Sequence, residues 1–225
     1  MVALFSGHMD VVHEFVKLDV VDVNGVDEDG HTPLTSVIVQ GRSDLVHELL
    51  QLDEMDANAI NEHGVSALLV ASEEGRLDAV HELLQCDKID VNGKDRQDKN
   101  ALMLASMKGH CDIVRVLLQH HKFDVNSQDL KGCTAFYLAS RGGHWDVVEA
   151  LICEDLDVNV RGPLGCTALF WATLSGRLDV VSMLLDLNSV DANVKNNAGS
   201  TALDVARNCQ MVDIAKCLEK HAHSW

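Results

Sequence analysis

The sequence predicts an all-α solenoid of stacked helix–turn–helix units joined by hairpin-like loops. Four recurring features carry that prediction. The tripeptides Thr32-Pro33-Leu34, Ser66-Ala67-Leu68, Asn100-Ala101-Leu102, Thr134-Ala135-Phe136, Thr167-Ala168-Leu169 and Thr201-Ala202-Leu203 follow one another at spacings of 34, 34, 34, 33 and 34 residues. Nine residues after each opening Thr, Ser or Asn of the first five comes a glycine, at Gly41, Gly75, Gly109, Gly143 and Gly176, with Gly7 one period earlier. Three residues further on stands an aspartate, at Asp10, Asp44, Asp78, Asp112, Asp146, Asp179 and, in the last unit, Asp213. Each unit then closes with Asp-Val-Asn or Asp-Ala-Asn, ending at Asn24, Asn58, Asn92, Asn126, Asn159 and Asn193. A fixed period of this length marks repeats that cannot bury their apolar faces alone and stack to do so.

Each marker has a physical role in one unit. Thr, Ser or Asn caps a helix start, its side-chain oxygen accepting from a free backbone N–H, and Pro33 suits the first helical position. The apolar pattern that follows runs to the glycine, which takes the left-handed backbone that ends a helix, so the first helix is short. The recurring aspartate opens a second helix, where its charge meets the positive end of the helix dipole. Behind it come apolar pairs at helical spacing, such as Leu45-Val46 with Leu49-Leu50 and Ile113-Val114 with Leu117-Leu118. The Asp-Val-Asn segment and the following Asp-x-x-Gly, as at Asp27 to Gly30, carry turn chemistry into the next unit.

Composition narrows the function. The 225 residues are 47% hydrophobic and 24% charged, which suits a folded domain and excludes disorder as the main state. No apolar run approaches the roughly twenty residues that cross a bilayer. The N-terminus lacks the basic region of a signal peptide, so the cytosol or nucleus is the expected compartment. Eighteen Lys and Arg against 35 Asp and Glu, net −17, argue against nucleic acid and anionic lipid as partners. Thirteen of those 35 acids occupy the two periodic Asp positions, including Asp22, Asp56, Asp90, Asp124, Asp157 and Asp191, so much of the acidity belongs to the scaffold. The seven cysteines contain no Cys-x-x-Cys pair and read as reduced packing residues.

On these motifs the chain resembles the ankyrin-repeat proteins from end to end. The family pattern of Gly-x-Thr-Pro-Leu, an Ala-rich helix, Gly-His-x-Asp-Val-Val, Leu-Leu and Asp-Val-Asn is met six or seven times. The resemblance implies a single domain over residues 1–225, with about six full repeats and a truncated first one. The units fall near 1–24, 25–58, 59–92, 93–126, 127–159, 160–193 and 194–225. Departures from the pattern make their own expectations. The family's His after Thr-Pro-Leu is replaced by Thr35, Leu69, Met103, Tyr137, Phe170 and Asp204, so its capping hydrogen bonds are expected to be missing. One extra residue before Asp-Val-Asn should loosen that loop in most units. Asp98 in place of the turn glycine, and Gly162 in place of the turn aspartate, mark the least regular hairpins. Gln210 replaces the last inter-helix glycine, and Lys216, Glu219 and Lys220 give the final helix the polar outside of a solenoid cap. Val2, Ala3, Leu4 and Phe5 are already in repeat phase, which predicts a segment upstream of Met1 or a frayed first unit.

Residues that could carry chemistry are explained by the repeat. His13, His47 and His81 form a column one period apart, each followed by Glu. Packed helices lie roughly 8–10 Å apart, whereas the ligands of one zinc lie about 2.0–2.3 Å from it, so this column reads as a solvated face. His120-His121 and His221-x-His223 read as surface. Cys133 and Cys166 share one repeat position and should be too far apart to bridge. Short stacked helices supply no oxyanion site or orienting third group, so no catalytic residue, cofactor or metal is expected.

The resemblance implies recognition of a protein segment by the concave side, at the hairpin tips and the residues before each inter-helix glycine. That strip is acidic first (Glu28, Asp29, Glu62, Glu73, Glu74), then basic (Arg96, Lys99, Lys108, Lys131, Arg141). It ends apolar, with Leu130 leading into Pro163, Leu164 and Leu174, and with Trp145 close by, while Trp171 is expected in the core. The expected function is a monomeric, non-catalytic scaffold or protein-binding module with a bipolar groove. Two alternatives stand beside it. One makes the chain a substrate of asparaginyl hydroxylase at Asn92, Asn126 or Asn159, by resemblance to hydroxylated ankyrin repeats. The other makes it the targeting part of a larger polypeptide whose catalytic domain lies elsewhere.

Overall fold

The computed structural model describes residues 22–120, 123–153 and 156–222. Val2 to Phe5, Gly7, Asp10 and His13 lie outside them, as do His121 and His223. Twelve helices follow in order: α1 (Pro33–Val39), α2 (Ser43–Leu50), α3 (Ala67–Glu73), α4 (Leu77–Leu84), α5 (Ala101–Lys108), α6 (Cys111–Gln119), α7 (Ala135–Gly142), α8 (Trp145–Leu151), α9 (Ala168–Leu174), α10 (Leu178–Leu185), α11 (Ala202–Asn208) and α12 (Val212–Ala222). The longest has 11 residues, and no helix among the described residues is long and apolar enough to cross a membrane.

The chain divides into two compact units. One ends at Ala105 and includes Gln119–Phe123; the other holds Ser106–Leu118 and the residues from Asp124 on. Within the first unit, α1 packs on α2 and α3, α3 on α4, and α2 on α4. Within the second, α7 packs on α8 and α9, α9 on α10 and α11, and α11 on α12, while α8 packs on α10 and α10 on α12. Within each unit first helices therefore stack on first helices and second on second, which buries both sides of α9 between α7 and α11. In α7 every residue from Ala135 to Ser140 is buried, whereas α8 buries only Val147, Val148 and Leu151 on one stripe.

Caps hold these short helices at their starts. Thr32, Thr134, Thr167 and Thr201 each accept from the N–H three residues on, and Asn100 Oδ1 accepts from Met103 N at 2.9 Å. Ser66 is the exception, with no side-chain cap bond. The expected loss of capping bonds at the former His position needs correction in two units. Thr35 Oγ1 donates to the Thr32 carbonyl at 3.0 Å. The Asp204 carboxylate accepts from Thr201 N and Oγ1, both at 2.8 Å, while Thr201 Oγ1 accepts from Asp204 N at 3.2 Å, completing a reciprocal box. Leu69, Met103, Tyr137 and Phe170 instead fill the same position with buried apolar bulk.

The bonds from the Thr201 backbone and hydroxyl hold the Asp204 carboxyl below the usual aspartate range. A carboxyl lowered by folding stabilises the folded state above its unfolded pKa, near ~3.9, and loses that contribution as pH falls through the lower folded value. Asp204→Asn is therefore expected to lower stability at neutral pH and to flatten its fall in acid. Urea midpoints measured across the acid range check both effects.

The loops between units are hydrogen-bonded as regularly as the helices. Asp22, Asp56, Asp90, Asp124, Asp157 and Asp191 each accept, through Oδ1, from the N–H two residues on, at 2.9–3.0 Å. The Asn that follows reaches one unit forward. Asn24, Asn58 and Asn159 accept from the N–H of Asp56, Asp90 and Asp191 at 2.7–2.8 Å. Their Nδ2 groups donate to the carbonyls of Glu54, Lys88 and Ser189 at 2.7–2.8 Å. Asn126 likewise accepts from Asp157 N at 2.9 Å.

At the hairpins, Asp27, Asn61, Asp95, Asp129 and Asn196 each accept through Oδ1 from the N–H groups two and four residues on. The two irregular hairpins are those the sequence marks. Asp98 stands at φ 61, in the left-handed region. At Gly162 no side chain can close the turn, and the reason lies in packing. A Cβ there would sit 2.8 Å from Tyr137 Cε2. The Tyr137 ring is buried and meets Trp171 edge-on, with centroids 6.3 Å apart at 74°. Arg161 ties the hairpin down instead, its Nε donating to the Gly165 carbonyl at 3.2 Å and its Nη2 to the Lys195 carbonyl at 3.1 Å and Asn197 Oδ1 at 3.2 Å. Leu164 at φ 61 and Gly165 at φ 72 then put two successive left-handed residues at this tip.

Candidate functional site

The hairpins and the ends of the first helices form an exposed rim on each unit. In the first unit, Glu28 and Asp29 stand at the tip of hairpin 27–31, Glu62 at the tip of 61–65, and Arg96 and Lys99 on 95–99, while Glu73 and Glu74 end α3. In the second, Lys131 and Leu164 stand on hairpins, Lys108, Arg141 and Leu174 lie at or near the ends of α5, α7 and α9, and Trp145 opens α8. None of these 13 residues is buried, and only Glu73 and Lys99 are partly covered.

The structure brings some of them together. In the first unit, Glu62 N donates to the Gly30 carbonyl at 3.0 Å, and the Glu62 side chain lies across Gly30, filling the space a Cβ would need. Arg96 Nη2 donates to the Glu62 carbonyl, so Arg96 fastens two hairpins and is not a freely projecting cation as the sequence suggests. Lys99 Nζ donates to Gln97 Oε1 at 2.8 Å. In the second unit, Lys131 and Arg141 both lie within electrostatic reach of the Cys133 thiol. Trp145 belongs to another row. It shares its repeat position with Leu178 and Val212, the first residues of α10 and α12, and all three are exposed. Trp171 is half-buried against Tyr137, closer to the core than to the rim.

Sequence reasoning missed one set of bridging residues, those directly after the inter-helix glycines. Arg76 Nη2 donates to the Val39 carbonyl at 3.2 Å, and His144 Nε2 donates to the Met107 carbonyl at 3.2 Å, each reaching back to the end of a first helix one unit earlier. The Arg177 side chain lies over Gly143 in the same way. These groups bring donors to the carbonyl end of a helix, where positive charge is favoured. A signal was present, since Arg42, Arg76, His110, His144 and Arg177 recur in phase.

In the histidine column, His47 Nδ1 lies 2.8 Å from Glu82 Oε2, an exposed pairing between neighbouring second helices. Among the described residues no three His, Cys, Asp or Glu side chains gather as a metal would require. All seven cysteines are free thiols. Burial pushes the Cys133 thiol up to about 11, with the Asp129 carboxylate adding to the effect, and burial also raises Cys166. Because the thiolate is the reactive form, alkylation at neutral pH is expected to label the exposed Cys153 and Cys209 first and Cys133 and Cys166 last. Timed iodoacetamide labelling with peptide mapping reads that order.

The chain matches the family model described as "Ankyrin repeats (3 copies)" over residues 1–95, 89–162 and 156–224. Among solved structures it is similar to that of EF0377, described as an ankyrin repeat protein, at TM-score 0.77 and 25% identity. That match covers 83% of this chain and 96% of the other. No curated protein matches the chain.

Proposed function

The chain belongs to the ankyrin-repeat family, and from that premise we propose that it is a non-catalytic binding module that grips protein segments with the hairpin rims of its units. Ankyrin repeats are in general protein–protein interaction modules. The observation that carries the finer reading is the contrast between constrained and free positions. The loop Asp side chains, Asp22, Asp56, Asp90, Asp124, Asp157 and Asp191, are engaged in turns, and those of Asn24, Asn58, Asn126 and Asn159 in bonds to the next unit, whereas Glu28, Asp29, Glu74, Lys131, Arg141, Leu164 and Leu174 project from the same framework into solvent. Positions released from packing are those a repeat protein devotes to recognition.

The first unit's rim suits a basic stretch of the partner. The second unit's rim suits an acidic and apolar one. The test compares affinity capture from lysate by the wild-type chain and by a Lys131→Glu, Arg141→Glu variant of equal circular dichroism. Proteins retained by the wild type and lost by the variant support the rim as the recognition surface. Identical retention by both sinks that assignment and leaves the row of Trp145, Leu178 and Val212 as the better surface.

Hydroxylation of Asn92, Asn126 or Asn159 is a second reading, favoured at Asn92 by its exposure. Peptide mass spectrometry of the chain from cells, read for the gain of one oxygen, decides it.

A further inference from the structure

The two rims differ in sign and match in their apolar content. In the first unit, neither 22–41 nor 51–75 contains a Lys or Arg. Along the first two hairpins Glu28, Asp29 and Glu62 are exposed, and two residues before Glu28 and Glu62 stand Val26 and Ile60, 52% and 60% exposed. Each exposed carboxylate thus stands on a turn that an exposed apolar residue leads into. The third hairpin of this unit carries the cations, Lys94, Arg96 and Lys99, with Arg96 engaged on the Glu62 carbonyl and Lys99 on Gln97 Oε1, so the acidic part of the rim is hairpins 27–31 and 61–65.

The second unit's rim carries the reverse. Along hairpins 128–133, 161–166 and 195–200 the only carboxylate is Asp129, which is buried and accepts from the Lys131 and Cys133 N–H groups of its own turn. Lys131, Arg161 and Lys195 are exposed, and among the described residues none of them has a carboxylate within 4.0 Å, though Lys195 lies within electrostatic reach of Asp204. Beside them Leu130 and Leu164 are 68% and 69% exposed. Leu164 is moreover held at φ 61, a conformation that residues with a Cβ seldom adopt and that tends to collect at functional positions.

We propose that two copies of this chain pair rim to rim, the acidic, apolar rim of the first unit in one copy against the basic, apolar rim of the second unit in the other. This departs from the monomer expected from the sequence, because the opposite signs show only when the hairpins are sorted by unit. It uses the same rims as the binding reading above and rests on their being recognition surfaces. A heterologous contact of this kind takes a complementary rim from each copy. Self-pairing would then compete with other partners for the rims.

Salt alone is a poor test. Two chains of net charge −17 repel as whole molecules, and salt screens that repulsion together with the local attraction. Charge exchange separates the two. The first variant is Glu28→Lys with Glu62→Lys, and the second is Lys131→Glu with Lys195→Glu, each checked for the wild-type circular dichroism. In sedimentation velocity the wild-type mass is expected to rise above the 24.6 kDa of one chain as concentration increases. Each variant alone stays at the mass of one chain, and an equimolar mixture of the two recovers association, since each supplies the rim the other has lost. Leu164→Gly, which relieves the positive φ and removes the apolar contact without changing charge, is expected to weaken association by about tenfold.

A wild type that stays at one chain mass throughout, variants that associate as the wild type does, or a mixture that stays monomeric each overturns the proposal. A monomeric wild type that still captures partners through Lys131 and Arg141 overturns the pairing alone and leaves the binding reading standing.

Discussion

Tyr137→Ala is expected to lower stability by about 3–5 kcal/mol, the range for truncating a buried aromatic. The ring is 1% exposed and fills the space between α7 and hairpin 161–166, with Trp171 edge-on to it. Gly162 has no side chain with which to fill the gap. Tyr137→Phe is expected to behave oppositely. The Tyr137 hydroxyl is buried and, among the described residues, makes no hydrogen bond beyond a weak interaction with Trp171, and burial raises its pKa. Removing it discards a desolvation penalty of about 1–3 kcal/mol and costs that weak interaction alone, so stability should hold or rise. Urea unfolding gives both changes. Because repeat arrays can lose structure locally, hydrogen exchange at α7 and α9 shows where the Ala variant opens. Protection at those helices that Tyr137→Ala leaves unchanged would contradict the account.

Gly162→Asp is expected to destabilise by about 1–3 kcal/mol, the usual cost of overpacking, although it restores the residue that opens most of the other hairpins. The new Cβ would lie 2.8 Å from Tyr137 Cε2 and 3.2 Å from Cζ, contacts that require the ring to move. The carboxylate cannot offset this unless the ring gives way. Tyr137→His together with Gly162→Asp, which recreates the smaller pair found in the family pattern, should therefore recover most of the loss. The two changes are then strongly non-additive, as expected of residues in contact. Additive thermal shifts across the four proteins would show that the ring does not dictate the glycine.

This pair also shows where the sequence stops being legible. Periodicity placed the helices, the caps and the left-handed turn glycines, because those depend on residues close together in one unit. It marked Gly162 as irregular and could not say why, since the cause is a ring 25 positions earlier in the chain. The missing family His was read as missing bonds, which holds for the apolar replacements and fails at Thr35 and Asp204, whose own polar atoms close the cap. The charge of Arg96 is visible in the sequence, and its bond to the Glu62 carbonyl, 34 residues back, is not. The division into two units, and the contrast in sign between their rims, arise only once the chain is folded. Charge in a list of residues has no face.

The asparagine bonds have a consequence for the length of such a chain. Asn24, Asn58 and Asn159 each clasp main-chain atoms of the next loop only, 30 to 32 residues ahead, through an acceptor and a donor on one amide. The clasp is indifferent to what lies two units away. A genetic duplication or deletion that starts and ends at the same point of the period leaves every clasp with a partner of the same kind, whereas one that shifts the phase by a single residue would part an amide from its loop. Repeat number is thus open to variation and repeat phase is not, so such a fold can lengthen or shorten in whole units while each junction stays as it was.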